Sequence, residues 1–142
     1  MAKSCYIIVL GCSRLGAYIA NHLSQLGHSV VVVDEEESSF SLLSPDFSGF
    51  RIEGNPVELA VLQQTKIDKA DFVVVTTRDD NINIMIAQIA KEVFKVPEVL
   101  ARVFDPDRQE VYNSQNIKTI CPTSIAGDLF IRTFKSLLEK RD

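Results

Sequence analysis

An apolar, largely β-branched run from Cys5 to Leu10 leads directly into Gly11-Cys12-Ser13-Arg14-Leu15-Gly16, and an amphipathic segment starts inside that hexad. The run shows no polar alternation, so both of its faces must be covered, as in a parallel sheet flanked by helices. Leu15, Ile19, Leu23 and Leu26 then fall on one helical stripe, which Gly27 is placed to stop. Val30 to Val33 repeats the first run. A strand, a glycine turn, a helix and a second buried strand together make the first unit of a doubly wound α/β fold.

The alternation continues to the end of the chain. Glu35 to Ser41 is predicted to open a short second helix, which the Pro45–Gly49 turn ends, and Phe50 to Glu53 a third strand. Pro56 suits a first helical position, with Val57, Ala60, Val61 and Gln64 continuing that helix. Phe72 to Val75 reads as the fourth strand, the polar stretch Thr76 to Asp80 as a loop, and the segment to about Phe94 as a long helix. Val99 to Phe104 and Ile117 to Cys121 supply a fifth and a sixth strand, separated by a helix that Asp105 and Pro106 begin and that ends near Gln115. Ser124 is predicted to cap a final amphipathic helix carrying Ile125, Leu129, Phe130, Phe134, Leu137 and Leu138. Right-handed crossovers then give a Rossmann fold, a six-stranded parallel sheet in the order 3-2-1-4-5-6, as one domain over residues 1–142.

The hexad has the frame of a dinucleotide-binding turn with serine in place of the middle glycine. Gly11 permits the tight turn, Gly16 lets the helix approach the sheet, and Ser13 is small enough for a phosphate to come close. A helix opening near Arg14 points free N–H groups and its positive dipole end at an anion, and Arg14 adds a guanidinium fork. The alternative is a glycine turn beside an incidental surface arginine. Asp34 ends the second strand roughly 20 residues further on, where a carboxylate can accept both ribose hydroxyls. Its charge, with Glu35 and Glu36 beside it, would repel a 2′-phosphate, so NAD(H) or ATP/ADP/AMP is favoured and NADP disfavoured. A solvated helix start would use the same acidic residues, and Glu36 and Glu37 are expected to face solvent.

Composition narrows the function classes. A formal charge of -4 opposes a broad nucleic-acid face. No apolar stretch reaches the roughly 18 residues of a membrane span, and the first four residues are too few for a signal peptide. The three cysteines, Cys5, Cys12 and Cys121, are odd in number and lack C-x-x-C spacing, which fits a reducing cytoplasm better than a disulfide or zinc framework.

The chain resembles the N-terminal nucleotide-binding domain of the TrkA and KtrA regulators of potassium uptake, the RCK or KTN domain. Five ordered pieces carry the resemblance: the hexad from Gly11 to Gly16; Asp34; Gly54-Asn55-Pro56; Thr76-Thr77-Arg78-Asp79-Asp80 with Asn83; and Ala101-Arg102-Val103 followed by Asp105-Pro106. The resemblance implies that Gly54, Asn55 and Pro56 line an adenine pocket, although the family has Gly-Asp-Ala there. It also places Thr76, Thr77, Arg78 and Asn83 near phosphate or a second nucleoside. For Arg102 it implies ligand proximity or a dimer contact, where the residues alone equally allow a buried salt bridge to Asp79 or Asp80. It further implies a homodimer, alone or assembled into a higher ring, that acts on a membrane potassium transporter subunit. Many members carry a C-terminal domain that nothing after Asp142 supplies, whether the chain is naturally short or cut from a longer one.

Three functions remain open at this point. A ligand-gated regulatory module fits best, the final helix either pairing two copies or covering the core. A dehydrogenase-like enzyme would need a substrate domain and an acid or base. Here His22 and His28 lie away from the expected crevice, and Tyr112 has no lysine four residues later. An adaptor that only dimerises would account for the departures at Ser13 and Asn55.

Overall fold

The computed structural model describes residues 3–113 and 117–141. Its strands are Tyr6–Leu10 (β1), Ser29–Asp34 (β2), Phe50–Glu53 (β3), Phe72–Val75 (β4), Glu98–Arg102 (β5) and Lys118–Ile120 (β6). Its α-helices are Arg14–Gln25 (α1), Leu59–Gln64 (α2), Asp80–Glu92 (α3), Pro106–Asn113 (α4) and Pro122–Glu139 (α5). All strand pairs are parallel, and the order is β3-β2-β1-β4-β5-β6, as the sequence predicts.

The absence of alternation in β1 has the expected cause. Ile7 and Val9 pack with Val30, Val32, Ala17 and Ala20 on the α1 side, while Ile8 and Leu10 pack with Val33, Val73, Ile86 and Ala87 on the other. From Ile7 to Leu10 no residue is more than 4% exposed. Burying each such side chain contributes roughly 1.5–3 kcal/mol, which makes this strand the centre of the fold. Successive crossovers run outward from β1 in one direction and return through β4 in the other. The loops after β1 and β4 therefore diverge, opening a crevice at the carboxyl edge of the sheet.

Several boundaries differ from the sequence reading. Glu37–Leu42 is a 3-10 helix, not an α-helix opening at Glu35, because Asp34 Oδ1 accepts a hydrogen bond from the Glu36 amide and holds Glu36 extended. Pro56 is buried in a turn, and α2 begins only at Leu59. Strand β5 stops at Arg102, leaving Phe104 outside the sheet with its amide donated to Asp80. Ser124 does not cap α5. Pro122 occupies the first turn, Cys121 stands at the N-cap position, and the Ser124 hydroxyl turns to the Cys121 sulfur. The predicted end of α4 near Gln115 lies outside the described residues.

The final helix does not cover the core. No residue of α5 is buried, and its large apolar side chains, from Leu137 to Phe130, are between 53% and 66% exposed. Among the described residues, no helix is long and apolar enough to cross a membrane.

Candidate functional site

The crevice begins with the turn between β1 and α1. Gly11 has φ +106°, and a Cβ there would stand 2.7 Å from the Thr76 carbonyl carbon and the Thr77 nitrogen. A Cβ on Gly16 would meet the Gly11 carbonyl oxygen at 2.2 Å and Thr76 Oγ1 at 2.6 Å. Both glycines are thus demanded by the contact between this turn and the end of β4. The contact is fixed by Thr76, whose buried hydroxyl donates to the Gly11 carbonyl at 2.7 Å.

Ser13 is the N-cap of α1, its Oγ accepting the Gly16 amide at 3.1 Å. The Ser13 hydroxyl is therefore engaged as an acceptor, with its hydrogen left to give. Cys12 donates its amide to Asp34 Oδ2 at 2.8 Å. Ala17 donates to the Ser13 carbonyl, so in this first turn the amides of Arg14 and Leu15 have no acceptor among the described residues. Two N–H groups at the positive end of a 12-residue helix are an arrangement that can receive an anion. Arg14 is exposed beside them.

Asp34 is half-buried at the end of β2, and both of its oxygens already accept one backbone amide, from Cys12 and from Glu36 at 2.8 Å. Each oxygen keeps further lone-pair capacity for a sugar hydroxyl. The two bonds also orient the carboxylate toward the glycine turn, so the predicted sugar and phosphate positions are held together by one direct contact.

A crevice of about 420 Å³ opens above these groups. Gly11, Cys12 and Ser13 form one wall, Asp34 and Glu35 the next, then Asn55 and Pro56, and finally Thr76, Thr77 and Arg78. Sequence reasoning missed four lining residues: Glu36, Ser39, Val57 and Ile82. Glu36 is exposed, as expected, yet rims the opening. Val57 and Ile82 give the crevice apolar flanks suited to a planar base, and their signal was an apolar residue just after each polar loop element. Asn55 Oδ1 accepts the Val57 amide at 3.1 Å, leaving the amide nitrogen of Asn55 free to donate.

Arg14, Leu15, Gly16, Gly54, Asn83 and Arg102 are not in the crevice wall, the first three lying beside it in the opening turn of α1. Gly54 lies behind it, where a Cβ would press on Val61 at 2.9 Å. Asn83, expected near phosphate or a second nucleoside, is fully buried. Its Oδ1 accepts from both the amide and the hydroxyl of Thr77, and its Nδ2 donates to the carbonyls of Thr77 and Arg102 at 3.1 and 3.0 Å. All four of its hydrogen-bonding places are filled by protein.

Arg102 is 8% exposed and makes no salt bridge with Asp79 or Asp80. Its Nη2 donates to the carbonyls of Thr76 and Thr77 at 2.9 and 2.8 Å, and its guanidinium carbon lies 4.4 Å from the Phe104 ring centroid. Burial lowers its pKa from the ordinary value, and the charge of Asp80 opposes that shift. Asp79 caps α3 through the Ile82 amide, while Asp80 accepts the Phe104 and Asp105 amides.

The Cys12 thiol donates to the Ser39 carbonyl, and burial, reinforced by the Asp34 charge, pushes its pKa up to about 11. It is therefore neutral at pH 7 and a poor nucleophile. His28 accepts the Cys5 amide at the other end of the sheet, and His22 stacks on Tyr18 along α1. Among the described residues, no group of His, Cys, Asp and Glu is placed to hold a metal ion.

A larger hollow, about 680 Å³, lies at the amino-terminal edge of the strands, between Tyr6, His28, Arg51 and Lys66. Both α1 and α2 end there, and the negative ends of two helices work against an anion. The smaller crevice therefore has the better electrostatics for a phosphate.

The TrkA-N domain family model matches residues 7–122. The chain belongs to that family. The Trk system potassium uptake protein TrkA of Streptomyces coelicolor is 35% identical over 127 residues, covering 89% of this chain and 57% of that protein. This TrkA-N chain thus spans little more than half the length of that curated relative. Among solved structures, the AMP-bound CTD of Shewanella denitrificans Kef superposes with a TM-score of 0.78 at 19% identity, covering 93% of this chain and 81% of that one. The GsuK channel bound to NAD superposes with a TM-score of 0.77 at 20% identity, covering 91% of this chain and 23% of that one. At those identities the likeness concerns the fold.

Proposed function

We propose that this TrkA-N domain is a cytoplasmic regulatory module that binds NAD(H) or ATP/ADP/AMP and controls a membrane potassium transporter. The observation that carries the reading is the 2.8 Å bond between the Asp34 carboxylate and the Cys12 amide. It joins a sugar-binding acid to an anion-binding turn in one rigid unit, and the residues present fit an adenine nucleotide. The amides of Arg14 and Leu15 would receive phosphate, Asp34 the ribose hydroxyls, and Asn55 with Val57 and Ile82 the base. Asp34, Glu35 and Glu36 around the sugar position would repel a 2′-phosphate, which disfavours NADP.

Control would come from differential affinity: a ligand that binds one arrangement of two copies more tightly shifts the population toward it. Helix α5 supports a homodimer, because its exposed apolar face is large for a lone soluble chain. An enzymatic reading has less support. The crevice wall holds no histidine, and its one thiol is protonated far above pH 7.

Thermal denaturation with NADH, ATP, ADP and AMP tests the proposal. At about 100 times its Kd a ligand adds roughly 2.7 kcal/mol to stability, so at least one of the four should raise Tm. Response to none of them would leave the adaptor reading in its place.

A further inference from the structure

Resting on the regulatory reading, we infer that Arg102 and Phe104 are positioning residues that couple the state of the crevice to the first turn of α5, so that one contact between a guanidinium and a ring sets how strongly a bound nucleotide alters the pairing of two copies. The end of β4 is held from two directions. Thr76 and Thr77 line the crevice, and the Thr76 hydroxyl donates to the Gly11 carbonyl of the glycine turn at 2.7 Å. The carbonyls of the same two residues accept Arg102 Nη2 at 2.9 and 2.8 Å. Arg102 itself is buried and outside the crevice wall. A ligand that shifts the Thr76–Thr77 segment therefore changes the acceptors of a guanidinium it does not contact.

From Arg102 the connection to α5 runs through one residue. The guanidinium carbon lies 4.4 Å from the Phe104 ring centroid, within cation–π range. Phe104 stands outside the sheet and is 41% exposed, so its ring can shift without opening the core. Asp80 pins the Phe104 amide at 2.7 Å, and a movement of the ring about that fixed point tilts the Phe104 carbonyl. That carbonyl accepts the thiol of Cys121, the N-cap residue of α5, at 3.7 Å. Beside it the Val103 amide donates to the Ile120 carbonyl at 3.0 Å, which joins the same backbone to the segment that enters α5.

Coupling between two places needs an element with two arrangements, and Arg102 has the marks of one. Its Nε is buried without a hydrogen-bond partner among the described residues, a costly state for a donor on a charged group. An arrangement that satisfies Nε by giving up a threonine carbonyl competes with the observed one, and occupancy of the crevice biases the choice through Thr76 and Thr77. A brace that served stability alone would gain nothing from an unanswered donor or from a half-exposed ring.

Sedimentation equilibrium of the whole chain, alone and with saturating ADP or NADH, tests the inference, with calorimetry of the dilute chain for nucleotide affinity. At least one of the two nucleotides should bind and change the self-association constant by about fivefold or more. Phe104→Leu removes the ring at an exposed position; it should keep nucleotide affinity within about twofold and cut the ligand-linked change in self-association to under about twofold. Phe104→Tyr, which retains the contact with the guanidinium, should behave as the unaltered chain. An equal ligand-linked change in Phe104→Leu would overturn the inference, as would a chain that stays monomeric or whose self-association ignores the bound nucleotide. Loss of nucleotide affinity in Phe104→Leu would assign the ring to holding the crevice and overturn it as well. Binding of neither nucleotide would overturn the nucleotide-binding reading itself.

Discussion

The two sides of the sheet's carboxyl edge handle their polar groups in opposite ways. On the side after β1 and β2, amides and carboxylate oxygens retain capacity: among the described residues the Arg14 and Leu15 N–H groups meet no acceptor, and each Asp34 oxygen holds only one donor. On the side after β4 and β5, Thr76, Thr77, Asn83 and Arg102 satisfy one another almost completely. Both sides are rich in polar residues, so polarity alone does not distinguish a ligand-facing surface from an internal brace. Valence left over after folding does.

That contrast can be broken at Asn83. If the second side is a brace, Asn83→Ala should destabilise the chain by about 3 kcal/mol, because it removes the partner of the Thr77 amide and of the Arg102 carbonyl and leaves the Thr77 carbonyl only its bond from Arg102. Urea unfolding measures it, and a loss under about 1 kcal/mol would mean that Asn83 is free to serve a ligand after all.

Cys12 sharpens the contrast on the open side. A thiol with its pKa near 11, in place of the ordinary 9.0, has roughly 100-fold less thiolate at pH 8 than an exposed cysteine. Alkylation of Cys12, followed by peptide mass mapping, should be slower by about that factor and accelerate as pH approaches 11. Linkage has the same sign. The folded state holds the proton more tightly, so the stabilisation is complete below pH 9 and is lost as pH rises through about 11. An alkylation rate at pH 8 equal to that of a free thiol would place Cys12 at the surface.

Asp34→Ala should separate the sides by function. It removes two acceptors from amides at the crevice rim, where water can replace them, and so should cost only about 1 kcal/mol of stability. Affinity for the bound nucleotide should fall about tenfold or more through loss of the charge-assisted sugar contacts. Calorimetry showing unchanged affinity would remove Asp34 from the site.

How far the sequence announced each side follows from the kind of signal that each requires. Gly11, Gly16 and Asp34 were legible because close backbone approach and strand-end position impose residue types that show in the sequence. The sheet order was legible because unbroken apolar runs such as Ile7–Leu10 have few other places to go. Asn83 and Arg102 were not placed correctly, since nothing local says that an asparagine three residues into a helix turns back on the preceding loop. Nor does it say that a strand arginine is satisfied by carbonyls and a phenyl ring instead of a carboxylate. The bonds that tie the two together, Asn83 to the Arg102 carbonyl and Arg102 to the Thr76 carbonyl, join segments 19 and 26 residues apart. Helix α5 was half legible. Its apolar stripe was plain, but periodicity cannot say whether the stripe meets its own sheet or something else.

The smallest expected effect concerns that helix, which is anchored at the braced side. Cys121 at its start donates its thiol to the Phe104 carbonyl, and the Phe104 ring covers Arg102. If α5 were a further part of the brace, placing a charge on its apolar face would cost as much as Asn83→Ala. Yet Phe130 is 66% exposed and Leu129 56% exposed, so neither loses burial in the single chain. Phe130→Asp should therefore change urea stability at low protein concentration by less than about 0.5 kcal/mol. The same substitution should lower the self-association seen by light scattering, because a carboxylate carried into a helix-helix contact is desolvated without a partner. A large stability loss in a monomeric sample would instead show that α5 folds back onto its own sheet, and the braced side would then extend to the end of the chain.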